Sequence, residues 1–101
     1  MTYGVVTTIT GSVAGYDQIH AAALRQTGGV LDGLLLHVAR ETAGGYQILE
    51  VWDTREQCER GNREVLWPLI AAMPEAAPTG EPVTEEFDPR GLILTGARVA
   101  R

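Results

Sequence analysis

Apolar and β-branched residues alternate loosely from Tyr3 to Thr10 (YGVVTTIT), the pattern of a strand. Gly11-Ser12-Val13-Ala14-Gly15 breaks it. A helical stretch then runs from Tyr16 to Thr27, with Asp17 suited to its first turn or cap. At about 100° per residue, Tyr16, Ile19, His20, Ala23 and Thr27 share one face, and Gln18 and Arg25 lie opposite. Gly28-Gly29 supplies a left-handed stop. Val30 to Thr42 (VLDGLLLHVARET) predicts a second strand and Tyr46 to Trp52 (YQILEVW) a third. Ala43-Gly44-Gly45 joins them as a tight connection, because glycine tolerates positive φ. Leu34 to Trp52 therefore reads as an antiparallel hairpin. Alternation puts Tyr46, Ile48, Glu50 and Trp52 on one face of the third strand, and Gln47, Leu49 and Val51 on the other.

Asp53-Thr54-Arg55-Glu56-Gln57 starts a second helix, since Thr54 with Gln57, or Asp53 with Glu56, has the spacing of a capping box. Its stripe is Cys58, Gly61, Asn62, Val65, Leu66 and Leu69, a helical period. Pro68 cannot donate to the carbonyl of Glu64, so a kink or break is expected there. Leu69 to Met73 is then a short second piece, stopped at Pro74. Glu75 to Glu81 (EAAPTGE) is a loop, and Pro82 to Asp88 (PVTEEFD) a fourth strand with Val83, Glu85 and Phe87 on one face. Beyond a turn at Pro89-Arg90-Gly91, Leu92 to Thr95 is a short last strand or extended arm, and Gly96 to Arg101 a tail.

The order β-α-β-β-α-β implies a split β-α-β, ferredoxin-like α+β domain: one antiparallel sheet with two helices on one face. The 101 residues make a single domain. The second strand carries apolar residues at both parities, with Leu34, Leu36 and Val38 on one side and Leu35 on the other. Strands apolar on both faces are covered on both faces. The helices cover one side, so the expected cover for the other is a second copy, giving a homodimer.

Composition narrows the function classes. A net charge of −5 argues against a nucleic-acid partner and against an anionic membrane surface. All basic residues are arginines, which excludes a lysine Schiff base and a phosphate-binding loop lysine. The single cysteine, Cys58, has no intrachain disulfide partner, and with two histidines it makes no zinc spacing, so no metal is expected. No basic stretch followed by an apolar run opens the chain, and no apolar run approaches the length of a membrane span, so a cytoplasmic protein is expected.

The stretch L-L-L-H-V-A-R-E-T-A-G-G-Y-Q-I-L-E-V-W-D-T-R-E-Q, followed by a helix and P-V-T-E-E-F, resembles the dimeric α+β barrel superfamily. Within it the likeness is to antibiotic biosynthesis monooxygenase-like domains, most recognisably in the hairpin ending Glu50-Val51-Trp52-Asp53 before a capped helix. The resemblance implies ferredoxin-like protomers that share a barrel, with a pocket in each between sheet and helices. It implies an oxygenase that uses no cofactor, neither metal nor flavin, on an aromatic polyketide-type molecule such as an anthrone. There a carbanion formed by proton loss meets O₂. The superfamily also holds polyketide cyclases, isomerases and non-catalytic binding domains, and these readings stay open. Its haem-degrading branch carries an iron-ligating histidine on the second helix, and here no histidine follows His37.

Candidate site residues follow. Asn62 sits within an apolar stripe, and a buried amide costs a few kcal/mol, roughly, unless paired. It is either an oxyanion donor, with Gly61 leaving room for a ligand, or a partner of a sheet carbonyl. Anthrone-oxidising relatives carry an Asn and a Trp on this helix, which points to Asn62 and Trp67, although a spacing of five separates them on an α-helix. His20 and His37 are the candidate bases near neutral pH. His20 is otherwise a helix histidine with a backbone partner, and His37 faces either the pocket or the dimer interior. Trp52 and Tyr46 share a face and would wall a flat substrate, or pack as core. Glu50 between them is a base or the partner of an arginine such as Arg63.

Overall fold

The computed structural model describes residues 2–95; the tail expected at Gly96–Arg101 lies outside them. Its elements are β1 (Tyr3–Thr10), α1 (Val13–Thr27), β2 (Leu34–Thr42), β3 (Gly45–Trp52), α2 (Arg55–Gly61), a π-helical turn (Asn62–Leu66), α3 (Trp67–Ala72), a 3₁₀ turn (Pro74–Ala76) and β4 (Val83–Phe87). The sheet order is β2-β3-β1-β4, with every neighbouring pair antiparallel. This is the expected ferredoxin-like α+β fold. Leu92–Thr95 forms no strand. Among the described residues no helix is long and apolar enough to cross a membrane.

The start of α1 differs from expectation. Ser12 is its N-cap: the hydroxyl accepts from the N–H groups of Ala14 and Gly15, so the helix begins three residues before Tyr16. Gly15, which looks like a breaker in sequence, is a close-packing site, since a Cβ there would stand 2.6 Å from the carbonyl oxygen of Ala76. The far end is as expected: Gly28 adopts φ 68° and its N–H reaches the Leu24 carbonyl at 2.8 Å.

The hairpin pairs Thr42 with Gly45, and neither Gly44 nor Gly45 takes a positive φ. Gly45 is required for a different reason: the Ile9 carbonyl of β1 occupies the space a Cβ would need. Near the start of β2 a bulge between Leu34 and Leu36 shifts the register against Trp52 and Val51. The bulge breaks the simple alternation. Leu34 packs with Val5, Trp52 and Cys58 on the helix side, whereas Leu36 and Val38 share the outer face.

Thr54 caps α2 by accepting from the Gln57 N–H, the first of the two pairings read from sequence. The break expected at Pro68 appears one turn earlier, as a widened helix. The Trp67 N–H bonds the carbonyl of Asn62, five residues back. Widening there relieves the clash that the Pro68 ring would make with the Glu64 carbonyl in a regular helix.

Tyr3, Val5, Thr7 and Ile9 of β1 pair with Trp52, Glu50, Ile48 and Tyr46 of β3 beneath the helices. Trp52 is 1% exposed and is the largest fully buried side chain. On the opposite face Phe87 covers Gly4 and Val51 is buried, but Val38 and Val83 are exposed. Val6, Leu36 and Leu49 share that face with polar residues. Arg40 donates to Gln47 at 3.0 Å, and Gln47 donates to Thr8 at 3.2 Å.

Candidate active site

Four side chains from α1, β2 and β3 form a continuous hydrogen-bonded chain under the helix. Glu50 and His37 are cross-strand partners on the face beneath α1. Their contact, His37 Nδ1 to Glu50 Oε2, is 2.6 Å. The other oxygen of Glu50 accepts from Trp52 Nε1–H at 3.0 Å. His37 Nε2 lies 2.7 Å from the Tyr16 hydroxyl on α1, and that hydroxyl lies 2.9 Å from Nδ1 of His20, one turn further along the same helix. Tyr46 packs against the Tyr16 ring with centroids 5.2 Å apart, and the Tyr16 and His37 rings are stacked. Aromatic contacts on two sides therefore fix the phenol's position.

The chain ends at a cavity of about 440 Å³ between α1 and the hairpin, lined among others by Val13, Tyr16, Asp17, His20, His37, Glu41 and Tyr46. Electrostatics divides the roles. Burial, with Glu50, Asp17 and Tyr46 nearby, pushes the Tyr16 phenol up to about 12, so it stays protonated and can pass its hydrogen on only as it receives another. Burial first, and then His37, lower the pKa of His20, partly opposed by Asp17. His20 is thus neutral near pH 7, as a base must be. With Glu50 as a carboxylate, His37 Nδ1 carries a hydrogen and its Nε2 faces Tyr16. Among the described residues no group of three or more His, Cys, Asp or Glu side chains is arranged to hold a metal ion.

The structure brings His20, His37, Glu50, Tyr46 and Trp52 together. Trp52 is core and fixes Glu50 from behind, while Tyr46 reaches the cavity. Glu50 is held by His37 and Trp52, not by Arg63, which is exposed on the π-helical turn. Asn62 is half-buried with its amide 4.0 Å from the Cys58 sulfur, and Trp67 is 58% exposed. The five-residue bond of the π turn stacks Trp67 one turn beyond Asn62, but Asn62, Arg63 and Trp67 do not line this cavity. Gly61 makes room for the Trp52 indole rather than for a ligand. Tyr16 is absent from the candidates that sequence alone singles out. The available signal was its i, i+4 relation to His20 on the inward face.

No protein-family model and no curated protein sequence matches the chain. Solved structures do. A candidate antibiotic biosynthesis monooxygenase from Caulobacter crescentus matches with a TM-score of 0.69 at 21% identity, over 89% of this chain and 91% of that one. Another from Chloroflexus aurantiacus matches with a TM-score of 0.64 at 22% identity, over 95% of this chain and 100% of that one. SnoaB, a cofactor-independent oxygenase from Streptomyces nogalater, matches with a TM-score of 0.58 at 18% identity, over 91% of this chain and 94% of that one. The chain has the antibiotic biosynthesis monooxygenase-like α+β fold.

Proposed function

We propose that the protein is a cofactor-independent monooxygenase acting on an aromatic, polyketide-type small molecule in the cavity between α1 and the hairpin. The observation that carries this reading is the Glu50–His37–Tyr16–His20 chain, which ends at a cavity of small-molecule size. His20 takes a proton from the substrate, and Tyr16 and His37 relay it toward Glu50. The carbanion adds to O₂, and the peroxide takes back the proton the relay holds and loses water. One oxygen atom enters the product as a carbonyl, the other leaves as water, and the substrate carbon supplies all four electrons as its CH₂ becomes C=O. Tyr46 offers a wall for a flat ring, and Trp52 holds Glu50 in line. Asn62, Arg63 and Trp67 lie off this cavity, so the reading assigns the chemistry to α1 and the hairpin. Likeness in fold to SnoaB supports the oxygenase class. Incubating the protein with an anthrone under O₂, without added metal or flavin, tests it by formation of the quinone.

A cyclase or isomerase is the alternative. The same chain can withdraw and return a proton, which is all that enolate chemistry needs. Such turnover persists without O₂, whereas oxygenase turnover stops.

We also infer a homodimer. Val38 is 54% and Val83 68% exposed on the sheet face that no helix covers. A second copy of the same face buries both. Sedimentation at micromolar concentration should then report twice the mass of one chain.

A further inference from the structure

Two histidines share one phenol here, and the count of hydrogens has a consequence. Tyr16 Oη is within hydrogen-bond distance of His37 Nε2 and of His20 Nδ1, at 2.7 Å and 2.9 Å. It has one hydrogen to donate, so one imidazole accepts from it and the other must donate to it. While His37 is neutral, its hydrogen sits on Nδ1 toward Glu50 and its Nε2 accepts from Tyr16. His20 must then carry its hydrogen on Nδ1, and its Nε2 is a bare lone pair. Once His37 is protonated, its Nε2–H donates to Tyr16. The phenol then turns to donate to His20 Nδ1, and a neutral His20 must carry its hydrogen on Nε2.

We propose that Tyr16 couples the tautomer of His20 to the charge of His37, making His20 Nε2 a base before proton abstraction and a hydrogen-bond donor to the substrate anion after it. This rests on the proton-abstraction reading above. The step balances. The substrate's proton passes to His20 Nε2, the Nδ1 hydrogen of His20 to the Tyr16 oxygen, and the Tyr16 hydrogen to His37 Nε2. The electron pair stays on the substrate. The new positive charge rests on His37, 2.6 Å from Glu50, and not on His20, which took the proton. The new anion meets an N–H already in place, without rearrangement of the backbone. That donor matters because Asp17 and Glu41 also line the cavity and repel an anion.

The groups facing the pair are few. Asp17 comes from α1, Arg40 and Glu41 from β2, and Tyr46 and Glu50 from β3. Glu75, on the 3₁₀ turn that packs against α1, is exposed. Tyr3, the titratable side chain of β1, bonds Glu86.

Nitrogen-15 NMR of the full chain with labelled histidine, recorded through a pH titration, reads tautomers directly and needs no turnover. The expected result is that neutral His20 switches from Nδ1–H to Nε2–H wherever both ring nitrogens of His37 carry hydrogen, and that Tyr16→Phe abolishes the switch. Should that variant not fold, His37→Gln is expected to keep His20, wherever it is neutral, in one tautomer. A wild-type His20 that keeps one tautomer throughout, or a switch that survives Tyr16→Phe, overturns the proposal. A switch without turnover of any anthrone supports the coupling and counts against the oxygenase reading.

Discussion

The Tyr16 hydroxyl stands 2.7 Å from His37 Nε2, joining a helix to a strand across 21 residues of sequence. Its ring is wedged between Tyr46 and the two imidazoles, so this contact is held from several sides. Removing only the oxygen separates the two halves of the relay. Tyr16→Phe is expected to lower turnover by about 10²- to 10⁴-fold, the usual contribution of a positioned acid–base group. The lost hydrogen bonds should cost about 1–2 kcal/mol of stability. Steady-state kinetics beside urea unfolding separates the two effects. A loss of activity no larger than the loss of folded protein would remove Tyr16 from the mechanism.

His20 gives the stability a definite pH dependence. Its folded pKa lies below the ordinary 6.5, so the unfolded chain takes up this proton first as pH falls. Unfolding free energy is therefore unaffected above that value, declines as pH drops through 6.5, and levels off below the folded pKa. His20→Gln should flatten the decline in Tm between about pH 7 and about pH 5. An unchanged slope in the variant would place the titrating group elsewhere.

Cys58, on α2, is 6% exposed and packs in the core with Trp52 and Val5. Burial, reinforced by Glu50 and Glu59, pushes its thiol up to about 11. The thiolate is the reactive form. Native protein should consequently resist iodoacetamide at about pH 8 and react fully in denaturant, as counted by mass spectrometry. Rapid alkylation of the folded chain would contradict this packing.

Gly61→Ala probes the contact beneath Glu50. The added methyl would lie 2.8 Å from Trp52 and 3.1 Å from Leu31. Overpacking of this kind costs about 1–3 kcal/mol, against about 1 kcal/mol gained in helix propensity. The net expectation is a lower Tm, since a fully buried indole has nowhere to go. A raised Tm would mean that Trp52 can move.

Much of the fold is legible from the sequence because local signals and burial agree. The edges of β1, the cap at Thr54 and the left-handed Gly28 all sit where pattern and turn chemistry put them. Residues with two physical uses are harder. Gly15 and Gly61 weaken a helix locally, yet both are placed by close approach of Ala76 and Trp52, which no local pattern contains. The bulge at Leu34 reverses a parity that simple alternation assigns, because one extra residue moves the side chain to the other face.

The site divides in the same way. His20, His37 and Glu50 can be singled out from composition and faces, since imidazole and carboxylate chemistry is specific. Their joining through Tyr16 depends on the crossing of α1 over the hairpin. Glu50's partner is set by the cross-strand register with His37, so Arg63 is displaced from a role that charge alone would allow.

Oxygen consumption bears most directly on the central claim. An oxygen electrode should record one O₂ taken up per quinone formed from an anthrone, in buffer free of metal and flavin, and Tyr16→Phe should nearly abolish the uptake. Binding of the anthrone with no uptake of O₂ by the wild-type protein, or equal turnover under argon, would contradict it.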